Sequence, residues 1–112
     1  MKKDSQVYLA HIRDAIQAIL EYTEDGQEAF ERDRKTQDAV IRNLEIIGEA
    51  VKNLPVELTE KYTEIPWKNI AGMRDRLIHH YFGVNMKLVW AVVENRLADL
   101  ERVVQKEFDL LL

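Results

Sequence analysis

Apolar residues recur every three or four positions in four long blocks of this chain, and no segment alternates them in twos. Such a pattern buries one stripe of a helix and leaves strands no face to pair on. Only four glycines and two prolines interrupt 112 residues, so few positions break a helix. The expected architecture is all-α: an antiparallel bundle of four main helices with short connections.

The first helix is predicted from about Ser5 to Glu24, capped by Ser5 or Asp4, on a stripe of Val7, Tyr8, Ile12, Ala15, Ile16, Ile19 and Leu20. Thr23 to Arg34, with Gly26 and many charges, forms a connection with room for a short helical turn. The second helix covers Thr36 to Asn53 on Val40, Ile41, Leu44, Ile47 and Val51, and Pro55 stops it. Val56 to Tyr62 is a weaker helical segment. The third helix opens at Ile65-Pro66-Trp67 and ends near Phe82-Gly83, with proline in the first turn where its missing N–H costs nothing. Asn85 caps the fourth, which runs to about Phe108 on Leu88, Val89, Val92, Val93, Leu97, Leu100, Val103 and Val104.

Composition narrows the chemistry. Without cysteine there is no disulfide, thiolate catalysis or cysteine-bound zinc. No apolar run approaches the roughly 18 residues of a membrane span, and nothing reads as a signal peptide. The expectation is a soluble cytoplasmic protein that needs no membrane. The net charge of −4 argues against a generic nucleic-acid binder. Yet residues 66–87 hold Lys68, Arg74, Arg76 and Lys87 against Asp75 alone, a basic island on an acidic body.

That island contains Arg-Asp-Arg-Leu-Ile-His-His-Tyr, residues 74–81. A guanidinium, an imidazole and a phenol within about two turns can bind a phosphate and move a proton without a metal. On an ideal helix Trp67, Ile70, Leu77, Ile78 and Tyr81 share an inward arc with Arg74 in its middle. Arg74 then needs a partner: a carboxylate such as Glu45 or Glu49, an interface, or a ligand phosphate. His79 falls about 140° around the helix from Arg74. The two meet only through a distortion near Gly83 or through a second copy of the chain. No ligand spacing for a metal and no glycine-rich phosphate loop is present, so neither metal nor cofactor is expected.

Arg74, four residues, His79, one residue, Tyr81: this spacing resembles the signature of the HepT-like toxins in the HEPN superfamily. The resemblance extends to Tyr8-Leu9 with Ile12 and Ala15-Ile16, to Gln37–Val40 and Asn43–Ala50, to Ile65-Pro66-Trp67 through Ala71–Arg74, and to Tyr81–Val84 with Trp90. It implies that residues 1–112 form one HEPN domain, a homodimer with its active site at the interface, and a metal-independent endoribonuclease. It also implies a minimal nucleotidyltransferase antitoxin, in a hetero-oligomer with the toxin, that transfers AMP to Tyr81.

Under this reading Arg74 and His79 are catalytic and Tyr81 accepts AMP beside them. Asp75 orients a catalytic group or balances Arg76. Arg76 and Lys68 are candidates for RNA backbone contacts, and His80 is a supporting position. Two other readings use the same residues. In one, the chain is a non-catalytic nucleotide- or substrate-binding subunit of a nucleotidyltransferase complex. In the other, it is a helical scaffold with Arg74 in an interface salt bridge.

Overall fold

The structure, a computed structural model, describes the backbone of residues 3–79 and 85–111 and the side chains of residues 5–73, 75–76 and 85–111. Among them it shows seven helices and no strand: α1 (Lys3–Tyr22), α2 (Gln27–Arg32), α3 (Arg34–Lys52), α4 (Val56–Lys61), α5 (Trp67–His79), α6 (Met86–Asn95) and α7 (Leu97–Leu110). The all-α expectation holds. Both connecting segments read as weakly helical form short helices, α2 and α4. The fourth predicted helix is two.

Helix α3 is the axis of the fold, with α1 packed on it and α5 against it. Helix α7 covers α1 and meets α6, while α2 bridges α3 and α6. The core joins Leu9, Ile12, Ile16 and Ile19 of α1 to Val40, Leu44 and Ile47 of α3, with Leu100, Val103 and Val104 of α7 also closed to solvent. Burying a side chain of this size stabilises by about 1.5–3 kcal/mol, so truncating any of these positions should be costly.

Local chemistry sets the element ends. The Thr23 hydroxyl donates to the Ile19 carbonyl at 2.7 Å as α1 finishes. Gly26 then turns the chain at φ +93°, a conformation side chains resist. Asp33 caps α3: one carboxylate oxygen accepts from the Lys35 N–H at 3.1 Å, the other from the Thr36 hydroxyl at 2.8 Å. The Thr36 hydrogen bond holds the Asp33 carboxyl below its ordinary pKa. Gln37 donates to the carbonyls of Phe30 and Glu31, both at 3.0 Å, tying α2 to α3. Asn85 caps α6 as its side chain accepts from the Lys87 N–H at 2.8 Å.

Several expectations fail at particular residues. Ser5 is buried inside α1 and caps nothing, because α1 already runs from Lys3. Val7 and Leu20 are 47% and 45% exposed, and Leu88 is 67% exposed. Val7 lies nearly opposite Leu9 and Ile12 on the helix, and Leu88 opposite Val93. The apolar stripe from Val89 to Val104 is unbroken, yet the helix turns at Arg96. Its halves have different partners. Trp90 of α6 stacks on Phe30 of α2 at 5.5 Å between ring centroids, whereas α7 lies along α1.

Candidate functional site

Helix α5 carries most of the motif, and its entry is firmly held. The Trp67 indole N–H donates to the Tyr62 carbonyl at 2.9 Å, and the Ile70 N–H makes the first-turn bond to the Pro66 carbonyl at 3.0 Å. Tyr62 is itself anchored. Its hydroxyl donates to Glu107 of α7 at 2.5 Å, and the Lys61 ammonium reaches the same carboxylate oxygen at 3.0 Å. Burial, then the hydrogen bond to Glu107, pushes the Tyr62 phenol up to about 12. Burial also acts to raise the Glu107 carboxyl, but the hydrogen bonds from Tyr62 and Lys61 outweigh it and leave it below its ordinary value.

This cluster is absent from the sequence reading. The signal was there: Glu107 falls one turn beyond Val103 and Val104, on the buried stripe of α7. An acid on such a stripe needs a donor, and Tyr62 supplies it.

Beyond that anchor, Ile70 is buried among the described side chains of α5, with Trp67 half-buried. Met73, missing from the predicted stripe, is buried as well. Leu77, Ile78 and Tyr81 lie outside the described side chains. The helical backbone is continuous from Arg74 to His79. Five helical steps set these positions about 140° and about 7.5 Å apart. The side chains of Arg74 and His79 lie outside the described residues, as do His80 and Tyr81 altogether.

Asp75, Arg76 and Lys68 are exposed on α5. Arg76 folds back along the helix and donates to the Asn69 carbonyl at 3.0 Å. It passes Gly72, where an added Cβ would lie 3.6 Å from the guanidinium, an ordinary contact. Of the two carboxylates proposed as partners for Arg74, Glu45 pairs with Arg42 at 3.4 Å. Glu49 lies one turn further along α3.

Two concavities flank α3. One, of about 360 Å³, opens between α3, α5 and the α6–α7 junction, with Ile47, Ile70, Met73 and Leu97 inside and Arg76 and Arg96 at its rim. The other, also about 360 Å³, lies between α1 and α3 and includes Tyr8, His11, Arg42 and Glu45. Among the described residues no cluster of three histidine or acidic side chains is arranged to hold a metal ion. No helix among them is long and apolar enough to cross a membrane.

The comparisons agree with one another. The ribonuclease HepT-like family profile matches residues 12–107, from the core of α1 to the buried acid of α7. A protein of Methanocaldococcus jannaschii with a provisional RNase name is 49% identical over 96 residues, 85% of this chain and 79% of its own. A second protein of that organism, named for a gamma-glutamylcyclotransferase and, provisionally, an RNase, is 51% identical over 107 residues. Those are 95% of this chain and 48% of that longer protein. One of Thermococcus cleftensis, provisionally named ribonuclease HepT, is 46% identical over 107 residues, 95% of this chain and 97% of its own. No solved structure matches the chain significantly. An all-α fold axial on α3, a motif helix bearing Arg74 and His79, and a profile spanning both lead to one assignment: the chain belongs to the ribonuclease HepT-like family of HEPN proteins.

Proposed function

We propose that this chain is a metal-independent endoribonuclease, the toxin of a toxin–antitoxin pair. The observation that carries the reading is the family match across α5, with Arg74 and His79 on one uninterrupted helix. Residues 1–112 act as one domain in the cytoplasm.

Arg74 grips the scissile phosphate and stabilises the charge of the pentavalent transition state. His79 handles the proton, since an imidazole with an ordinary pKa of about 6.5 exchanges one at neutral pH. The ribose 2′-oxygen loses its proton to one His79 and attacks phosphorus. The bond to the 5′-oxygen breaks, and that oxygen takes a proton from a second imidazole. The products are a 2′,3′-cyclic phosphate and a 5′-hydroxyl. The 140° between Arg74 and His79 favours two copies: a homodimer brings one chain's Arg74 beside the other's His79 and supplies both imidazoles. Asp75 and His80 are supporting positions for this centre.

Control follows from the same place. A minimal nucleotidyltransferase antitoxin transfers AMP from ATP to the Tyr81 hydroxyl and releases pyrophosphate. The new phosphodiester two residues from His79 occupies Arg74 and repels RNA.

The deciding experiment is induced expression of wild type against His79→Ala, with growth and RNA ends followed together. Arrest with new 2′,3′-cyclic ends from wild type only is expected. Intact RNA from both folded proteins would favour a nucleotide-binding subunit, and 3′-hydroxyl ends or loss of cleavage in chelator would refute the chemistry. Tyr81→Phe is expected to escape the antitoxin while staying toxic.

A further inference from the structure

The Arg74–His79 chemistry leaves the concavity between α3, α5 and the α6–α7 junction unused. Its floor is apolar and almost closed to solvent: Ile47, Leu97 and Leu100 are 0–3% exposed, with Ile70 and Met73 beside them. Its rim carries two exposed arginines from different elements, Arg76 on α5 and Arg96 where α6 gives way to α7. Among the described residues no carboxylate forms an ion pair with either. Arg76 is already oriented by its bond to the Asn69 carbonyl, and that bond leaves most of its five N–H donors unspent.

An apolar floor beneath two guanidinium groups suits a flat base joined to a phosphate. The base shields its faces from water, and the arginines take the phosphate oxygens or stack on the ring. A volume of about 360 Å³ accepts one nucleotide. The groove is also continuous with the motif helix. Arg76 precedes His79 by three residues, so the two positions are neighbours on the helix surface.

We propose that this groove is a nucleotide subsite for the RNA: it seats a base flanking the scissile phosphate, and Arg76 and Arg96 hold the adjoining phosphates. The proposal rests on the nuclease reading for the position of the scissile bond. Arg76 and Arg96 are positioning residues here. Their loss raises KM and leaves kcat nearly unchanged, because the contact is equal in ground and transition states.

The test uses the full chain and a fluorescein-labelled single-stranded RNA of about twelve nucleotides, 2′-O-methylated so that it binds without being cut. Anisotropy titrations from about 50 to 200 mM salt compare wild type, R76Q/R96Q and R76K/R96K. The glutamine pair is expected to bind about tenfold more weakly, with the slope of log K against log salt reduced by about 1.4, roughly 0.7 per phosphate contact. The lysine pair keeps most of the slope. A 5-iodouridine version of the RNA is expected to crosslink at the groove floor.

Equal affinity and slope for wild type and the glutamine pair overturn the proposal, as do crosslinks only elsewhere or no binding by wild type. A changed subunit association at unchanged RNA affinity also overturns it, and makes the groove a contact between chains. Cleavage of unmodified RNA is scored separately. Wild type that binds through the groove yet never yields cyclic ends refutes the nuclease reading alone. Cleavage by R76Q/R96Q at wild-type KM refutes the subsite alone.

Discussion

Helix α5 meets two polar clusters of opposite character. At its entry, Tyr62, Lys61 and Glu107 meet on one buried carboxylate oxygen. Along its outer surface, Arg76 turns to a backbone carbonyl and, like Arg96, is paired with no carboxylate among the described residues. In the first cluster Tyr62 and Glu107 are buried and their polar atoms are satisfied. The second is open and has donors to spare. Polar groups that consume one another hold a structure together, whereas cations left without counter-charge beside an apolar floor are available to a ligand. In this family member the entry cluster sets where α5 sits, and the positions along α5 set what it touches.

The largest effect expected is on the motif. Arg74→Ala and His79→Ala should each lower RNA cleavage at least about 1,000-fold, from loss of charge stabilisation or proton transfer. Their denaturation midpoints should stay near wild type. A large fall in stability instead would return Arg74 to a structural ion pair.

The entry cluster should behave in the opposite way. Glu107→Ala removes the shared acceptor and leaves a buried phenol and an ammonium without it, costing about 3 kcal/mol in urea denaturation. Tyr62→Phe, which keeps the Lys61–Glu107 pair, should cost nearer 1 kcal/mol. If Glu107→Ala were neutral, the cluster would not be what holds α5.

Titration separates the two regions further. The Glu107 carboxyl is depressed in the fold, so its contribution is present above pH 4.5 and disappears as pH falls through the lower folded value. Tyr62 is raised from 10.0 to about 12, so its contribution is intact below pH 10 and is lost between about 10 and 12. Thermal melts should show both losses in wild type, and Tyr62→Phe should lack the alkaline one. An unchanged alkaline limb would mean that another group governs it.

The smallest effects fall on two glycines. Gly72 sits in mid-helix with room for a Cβ, so Gly72→Ala should stabilise by up to about 1 kcal/mol. Gly26 has nothing within 4 Å of an added Cβ but a φ of +93°, so Gly26→Ala should destabilise by about 1 kcal/mol. Equal signs from calorimetry would contradict that distinction.

Much of this was legible beforehand. Helices α1, α3 and α5 begin within about two residues of their expected starts, because amphipathic periodicity and breakers such as Pro55 act locally. Asn85 caps α6 as expected, since an N-cap needs only the N–H groups that follow it. The periodicity also put Arg74 and His79 on one helix, and α5 carries both positions. Misses cluster where a residue's role depends on another helix. Leu88 is apolar yet exposed, Met73 belongs to the inward face, and Glu107 is an acid inside the core.

Periodicity, caps and motif register are relations among consecutive residues, so the amino-acid order alone determined an all-α chain with Arg74 and His79 five steps apart on one helix. Which faces meet is a relation among distant residues. Only packing decided that the helix bends at Arg96, that Tyr62 finds Glu107 from 45 positions away, and that Arg76 and Arg96 overhang one apolar groove. Burial and desolvation come into being when separate helices close on one another, and no local pattern encodes them.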